Sequence, residues 1–86
     1  MRAVVYVRGN DEKRQEWECC QHIITKGYQY CGTVNGIGGI VESIVNGEVD
    51  VIVIVDESRI ARDRAEYEQI EYKFRGFGVT IEIAGE

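Results

Sequence analysis

Val49-Asp50-Val51-Ile52-Val53-Ile54-Val55 decides the fold. The run is too uniformly apolar and β-branched for a strand with one wet face, so it is expected at the centre of a parallel sheet covered on both sides. Upstream, Ala3-Val4-Val5-Tyr6-Val7 has the same character almost at the N-terminus. Residues 28–34 read as a further strand, weakened by Gly32, and residues 79–83 as a closing one. Between the strands lie three segments of helical spacing. The first opens with Asp11 and Glu12, repeats apolar residues at Trp17, Cys20, Ile23 and Ile24, and ends at Lys26-Gly27. Acidic start, basic end and terminal glycine agree with the helix dipole and a left-handed cap. The second carries Ile37, Ile40, Val41, Ile44 and Val45 and stops at Asn46-Gly47. The third, after a polar segment from Asp56 to Arg64, carries Tyr67, Ile70 and Phe74 before Gly76.

The order βαβαβαβ predicts an α/β fold of three layers, flavodoxin-like, with a four-stranded, mainly parallel sheet in the order 2-1-3-4. Its 86 residues support one domain, residues 1–86. At 44% hydrophobic and 29% charged the composition is that of an ordinary globular chain, which excludes collagen-like and disordered classes. A formal net charge of -5 argues against strong DNA binding by the chain alone, because affinity for a polyanion comes from Lys and Arg. Three cysteines, two of them adjacent at Cys19 and Cys20, do not make a disulfide framework, and a reducing cytoplasm is expected. His22 is the lone histidine and no Cys-x-x-Cys spacing exists, so no metal or other cofactor is expected. No run is long enough to span a membrane.

In the 2-1-3-4 order the loops after strands one and three are neighbours at the carboxyl edge, where open α/β sheets bind ligands. Strand one delivers Arg8, Gly9, Asn10, Asp11 and Glu12; strand three delivers Asp56, Glu57, Ser58, Arg59 and Arg62. The pieces Tyr6-Val7-Arg8-Gly9-Asn10, Gly36-Ile37-Gly38-Gly39 and Val49-Asp50 through Ser58-Arg59-Ile60-Ala61-Arg62-Asp63 follow one another as a set. This set resembles the catalytic domain of the serine recombinases, the resolvases and invertases, over essentially the whole chain.

The resemblance implies a resolvase-like fold and DNA strand exchange through a phosphoserine link, with arginines offsetting the phosphate charge. Carried over by position, Arg8, Arg59 and Arg62 are the phosphate-facing arginines. The nucleophile position holds Asn10, whose delocalised amide cannot replace an alkoxide, and Ser58 stands where that family has aspartate. The segment after the Gly-Ile-Gly piece that brings another arginine in that family is missing here. The chain stops at Glu86, where the family continues into a dimerisation helix and a DNA-reading domain. The expectation is therefore a catalytically inactive, accessory or interaction domain linked to recombination in a mobile element or phage. Its expected partner is a full-length serine recombinase or a second copy, with DNA binding by the chain alone weak or absent. One alternative is a truncated or mutated catalytic domain of an active recombinase. Another is a receiver-like signalling domain in which Asp11, Glu12 and Asp56 hold Mg²⁺.

Several features also have plain structural readings. Arg8, Arg59 and Arg62 pair with Asp11, Glu12, Asp56 and Glu57 on a solvated rim. Ser58 serves a turn or cap, since no histidine or lysine stands beside it in the sequence. Cys19, Cys20, Cys31, Trp17, Tyr28 and Tyr30 pack at the core or its boundary, and His22 is a partly buried helix residue.

Overall fold

The computed structural model describes residues 1–86. Strand β1 (Arg2–Val7) leads through a short loop into helix α1 (Glu12–Lys26), then β2 (Gln29–Asn35), α2 (Ile37–Val45) and β3 (Val51–Ile54). A single 3-10 turn (Glu57–Arg59) precedes α3 (Arg64–Arg75) and β4 (Thr80–Ile83). The sheet is parallel throughout, in the order β2-β1-β3-β4. Fold class and strand order are those the apolar runs predict.

Strand alternation explains why β1 and β3 are apolar at every position. Ala3, Val5, Val7, Val51 and Val53 face α1 and meet Cys19 and Ile23. Val4, Tyr6, Ile52 and Ile54 face the other way, against Ile40 and Ile44 of α2 and Tyr67 and Phe74 of α3. One helix on one side and two on the other bury both faces of the central strands. Burial of this kind stabilises by about 25 cal/mol per Å² of apolar surface, and it is the main favourable term for a chain this short.

The expected strand over residues 49–55 is shorter at both ends. Asp50 stands just before β3 with its backbone still bonded on both sides, its N–H to the Arg2 carbonyl at 2.8 Å and its carbonyl to Thr80 N–H at 3.1 Å. Its carboxylate accepts from Arg2 N–H at 2.7 Å and from the Arg2 guanidinium at 3.1 Å twice. Those bonds hold the Asp50 carboxyl well below the usual range, at about 2. Val49 remains in the core without ladder pairing.

Helix α1 departs from its expected stripe. Its inward residues are Gln15, Cys19, His22 and Ile23, whereas Trp17 is 64% and Ile24 70% exposed. At about 100° per residue Trp17 lies roughly 200° round from Cys19, on the far side of the helix. Two polar side chains take the inward places that the apolar residues were expected to fill. At the far end, Gly27 adopts φ 73°, and the N–H groups of Gly27 and Tyr28 bond the carbonyls of Ile24 and Ile23 at 3.1 and 3.0 Å, as a glycine cap requires.

Strand β2 forms one edge. Between the pairs Ala3 with Tyr30 and Val5 with Thr33, β2 carries one extra residue, a bulge at Cys31-Gly32, with Gly32 at φ 126°. The placement of Tyr30 and Cys31 at the core or its boundary is corrected here: both are exposed on this edge strand. In α2 only Ile40 and Ile44 are buried; Ile37, Val41 and Val45 face outward.

Candidate functional site

Because β1 and β3 are hydrogen-bonded neighbours, the loops at their carboxyl ends lie side by side. The first loop turns sharply. Gly9 takes φ 84° and Asp11 φ 64°, the one non-glycine residue with positive φ. Asp11 sits at the start of α1, where an aspartate tolerates the left-handed conformation better than most residues.

Gln15, one turn into α1, fastens this loop and is fully buried. Its Oε1 accepts from Arg8 N–H at 3.2 Å, and its Nε2 donates to the carbonyls of Arg8 and Asn10 at 3.0 and 2.7 Å. Arg59 comes from the second loop and donates Nη1 to the same Arg8 carbonyl at 3.0 Å. The second loop has its own internal order: Asp56 accepts from Ser58 N–H at 3.0 Å and from the Ser58 hydroxyl. Ser58 is thus a capped turn residue, in line with the plain reading. At the next helix Asp63 accepts from Glu66 N–H at 2.8 Å and caps α3.

Arg8, Ser58, Ile60, Ala61, Arg62 and Glu66 line one concavity of about 330 Å³ at this edge. Of the three arginines carried over by resemblance, Arg8 and Arg62 share it, while the Arg59 guanidinium is directed at backbone and at Asp56, 3.6 Å away. The rim-pairing reading is corrected for two of the three. Arg2, Arg14, Arg59, Arg64 and Arg75 each have a carboxylate partner, and Arg8 and Arg62 have none. The concavity thus carries two guanidiniums outside any ion pair, together with the Glu66 carboxylate, in a chain of net charge -5. Asn10 is exposed in the adjoining loop.

The acidic residues of the Mg²⁺ alternative do not gather. Asp11 faces Arg14 at 3.7 Å, Glu12 accepts from Asn35, and Asp56 is occupied by Ser58 and Arg59. No group of three or more His, Cys, Asp or Glu side chains in the chain is arranged to hold a metal ion, so that reading is set aside. No helix is long and apolar enough to cross a membrane.

A second polar cluster lies between α1 and β4. His22 is 5% exposed; its Nδ1 accepts from Gly85 N–H at 3.2 Å, so Nε2 carries the proton and donates to Glu82 Oε1 at 2.7 Å. The Tyr28 hydroxyl donates to Glu82 Oε2 at 2.7 Å. Burial works to raise the Glu82 carboxyl, yet these two bonds together with the nearby His22 and Lys26 bring the net direction down; the Tyr28 bond pushes the Tyr28 hydroxyl up. Cys19 is driven to about 12 by burial, which leaves an inert thiol.

The reading of His22 as a buried helix residue holds, whereas Gln15 and the His22 partners Glu82 and Gly85 are what sequence reasoning missed. The available signal was a polar side chain at an inward helical position, 15, 19, 22 and 23, had the correct face been chosen.

The structural neighbours of the chain are serine recombinase catalytic domains, and the chain has their fold. The C-terminal catalytic domain of ISC1926 TnpA, an IS607-like serine recombinase, matches all of the chain and 71% of its own, at TM-score 0.86 and 25% identity. The N-terminal catalytic domain of TP901-1 integrase matches with TM-score 0.87 and 13% identity, over 98% of this chain and 77% of that one. A resolvase family site-specific recombinase from Streptococcus pneumoniae matches at TM-score 0.86 and 17% identity, over 98% and 72%. No family model matches the sequence, nor does any curated protein. The resemblance read from the motifs is met in the fold.

Proposed function

We propose that this chain is a recombinase-type domain that meets a DNA phosphodiester backbone through Arg8 and Arg62 but does not cleave it through position 10. The observation that carries this reading is the pair of arginines without carboxylate partners on one concavity, at the carboxyl edge of a serine-recombinase fold. Two guanidiniums suit a phosphate, whose charge they offset and whose oxygens they can bond in pairs. Asn10 supplies no nucleophile. The domain then acts as an accessory or interaction module beside a full-length serine recombinase of a mobile element or phage, in the cytoplasm. Contact with DNA by the chain alone is weak, because the acidic balance opposes it.

The test has two arms. Incubation with supercoiled plasmid bearing a recombination site gives neither nicking nor a covalent protein–DNA adduct, and either product overturns the non-cleaving part. Co-purification from the host brings down a full-length recombinase, and its repeated absence overturns the accessory part.

A further inference from the structure

Arg8 and residue 10 keep a fixed relation to the concavity only while the loop between β1 and α1 holds one conformation. Two side chains from different elements converge on that loop. Gln15 of α1 takes the N–H and the carbonyl of Arg8 together with the carbonyl of Asn10. Arg59, from the loop after β3, takes the Arg8 carbonyl as well. A carbonyl oxygen has two lone pairs, and each here receives a donor. Gly9 makes room for the second: a Cβ at that position would stand 3.2 Å from Arg59 Nη1. Arg59 thereby gives Nη1 to backbone and faces Asp56 through Nε at 3.6 Å, whereas the guanidiniums of Arg8 and Arg62 have neither kind of partner.

We propose that Gln15 and Arg59 are positioning residues that brace the Arg8–Asn10 backbone, so that Arg59 shapes the anion site without itself being a phosphate ligand. This rests on the reading that Arg8 and Arg62 face a phosphodiester backbone. It differs from the expectation carried by resemblance, in which all three arginines face the phosphate.

The experiment titrates a short DNA duplex into the full chain at low and rising salt. Arg8→Met and Arg62→Met each lower the slope of log affinity against log salt by about one, as loss of a phosphate contact does. Arg59→Met and Gln15→Leu weaken binding by about tenfold with the slope unchanged, as loss of preorganisation does. Gln15→Glu sets a carboxylate against two carbonyls; it binds as poorly as Gln15→Leu at neutral pH and recovers on acidification, when its protonated oxygen donates again. Gln15→Leu shows no such recovery. A slope lowered by about one in Arg59→Met makes Arg59 a direct contact and overturns its role here. Wild-type affinity in Gln15→Leu, or no acid recovery in Gln15→Glu, overturns that of Gln15.

A second measurement needs no DNA. Amide exchange at residues 8–11 quickens in Gln15→Leu and Arg59→Met while β3 and α3 keep their protection. Unchanged exchange in that loop overturns the brace. A wild-type chain that binds no DNA sinks the phosphodiester reading alone, and the exchange data still decide the brace.

Discussion

Two buried polar clusters tie helix α1 to its surroundings, and they differ in what they leave over. Around His22, each partner is consumed within the cluster: both ring nitrogens, both Glu82 oxygens and the Tyr28 hydroxyl are bonded. Around Gln15, the side chain is equally consumed, but its bonds go to loop backbone, and the side chain of Arg8 is left free at the surface. A cluster that closes on itself contributes stability. One that spends its hydrogen bonds on holding a loop open to solvent builds a site. Local burial does not separate the two cases, since Gln15 is 0% and His22 5% exposed.

The comparison can be broken by mutation, beginning where the effect is largest. Replacing His22 by Leu leaves Glu82 Oε1 and the Gly85 N–H without their partner, while the Tyr28 hydroxyl keeps its bond to Glu82 Oε2. Urea unfolding is expected to show a loss of roughly 2–3 kcal/mol with DNA affinity, corrected for folded fraction, unchanged; a large affinity loss would erase the distinction between the clusters. Gly9→Val is next. It places a β-branched residue at φ 84° and crowds Arg59, so about 1–2 kcal/mol of stability is expected to go, together with loop order seen by amide exchange. The double change Arg8→Ala with Arg62→Ala should move stability by no more than about 0.5 kcal/mol, since neither is paired, while lowering the salt slope of DNA binding by about two.

The smallest effect concerns Asp50, which belongs to neither cluster and serves as a control. Its folded carboxyl titrates at about 2, below its value in the unfolded chain, so its contribution is present above about pH 4 and is lost as pH falls towards 2. Arg2→Ala removes the guanidinium, whose side-chain bond is the largest cause of the lowering, and leaves the backbone N–H bond of residue 2 in place. Acid unfolding followed by circular dichroism should then lose the portion of its slope that falls in this window, and an unaltered profile would show that the Arg2 contact is too solvated to matter.

The fold was legible because β1 and β3 are apolar at every position, a pattern that only two-sided burial explains, and because Gly27, Gly47 and Gly78 punctuate the elements. Helix α3 was equally plain, with Tyr67 and Phe74 inward as their spacing requires. Helix α1 misled for a physical reason. Counting apolar residues assigns Trp17 and Ile24 to the inside, but Gln15 and His22 can be buried once their partners are known, and those partners are a loop backbone and a carboxylate 60 residues away. No local pattern announces such a pairing. At the site, the sequence named Arg8 and Arg62 as candidates, whereas the separation of Arg59 from them needed the Arg8 carbonyl in three dimensions.

The bulge in β2 bears on how the chain behaves in a crowded cell. A seven-residue edge strand with regular spacing offers a template onto which another molecule's strand can add, and stacked additions lead to insoluble fibres. The extra residue at Cys31-Gly32 breaks that register and strengthens the local twist. Deleting Gly32 would restore an even ladder to the exposed side of β2, and the price would be read in light scattering rather than in melting temperature.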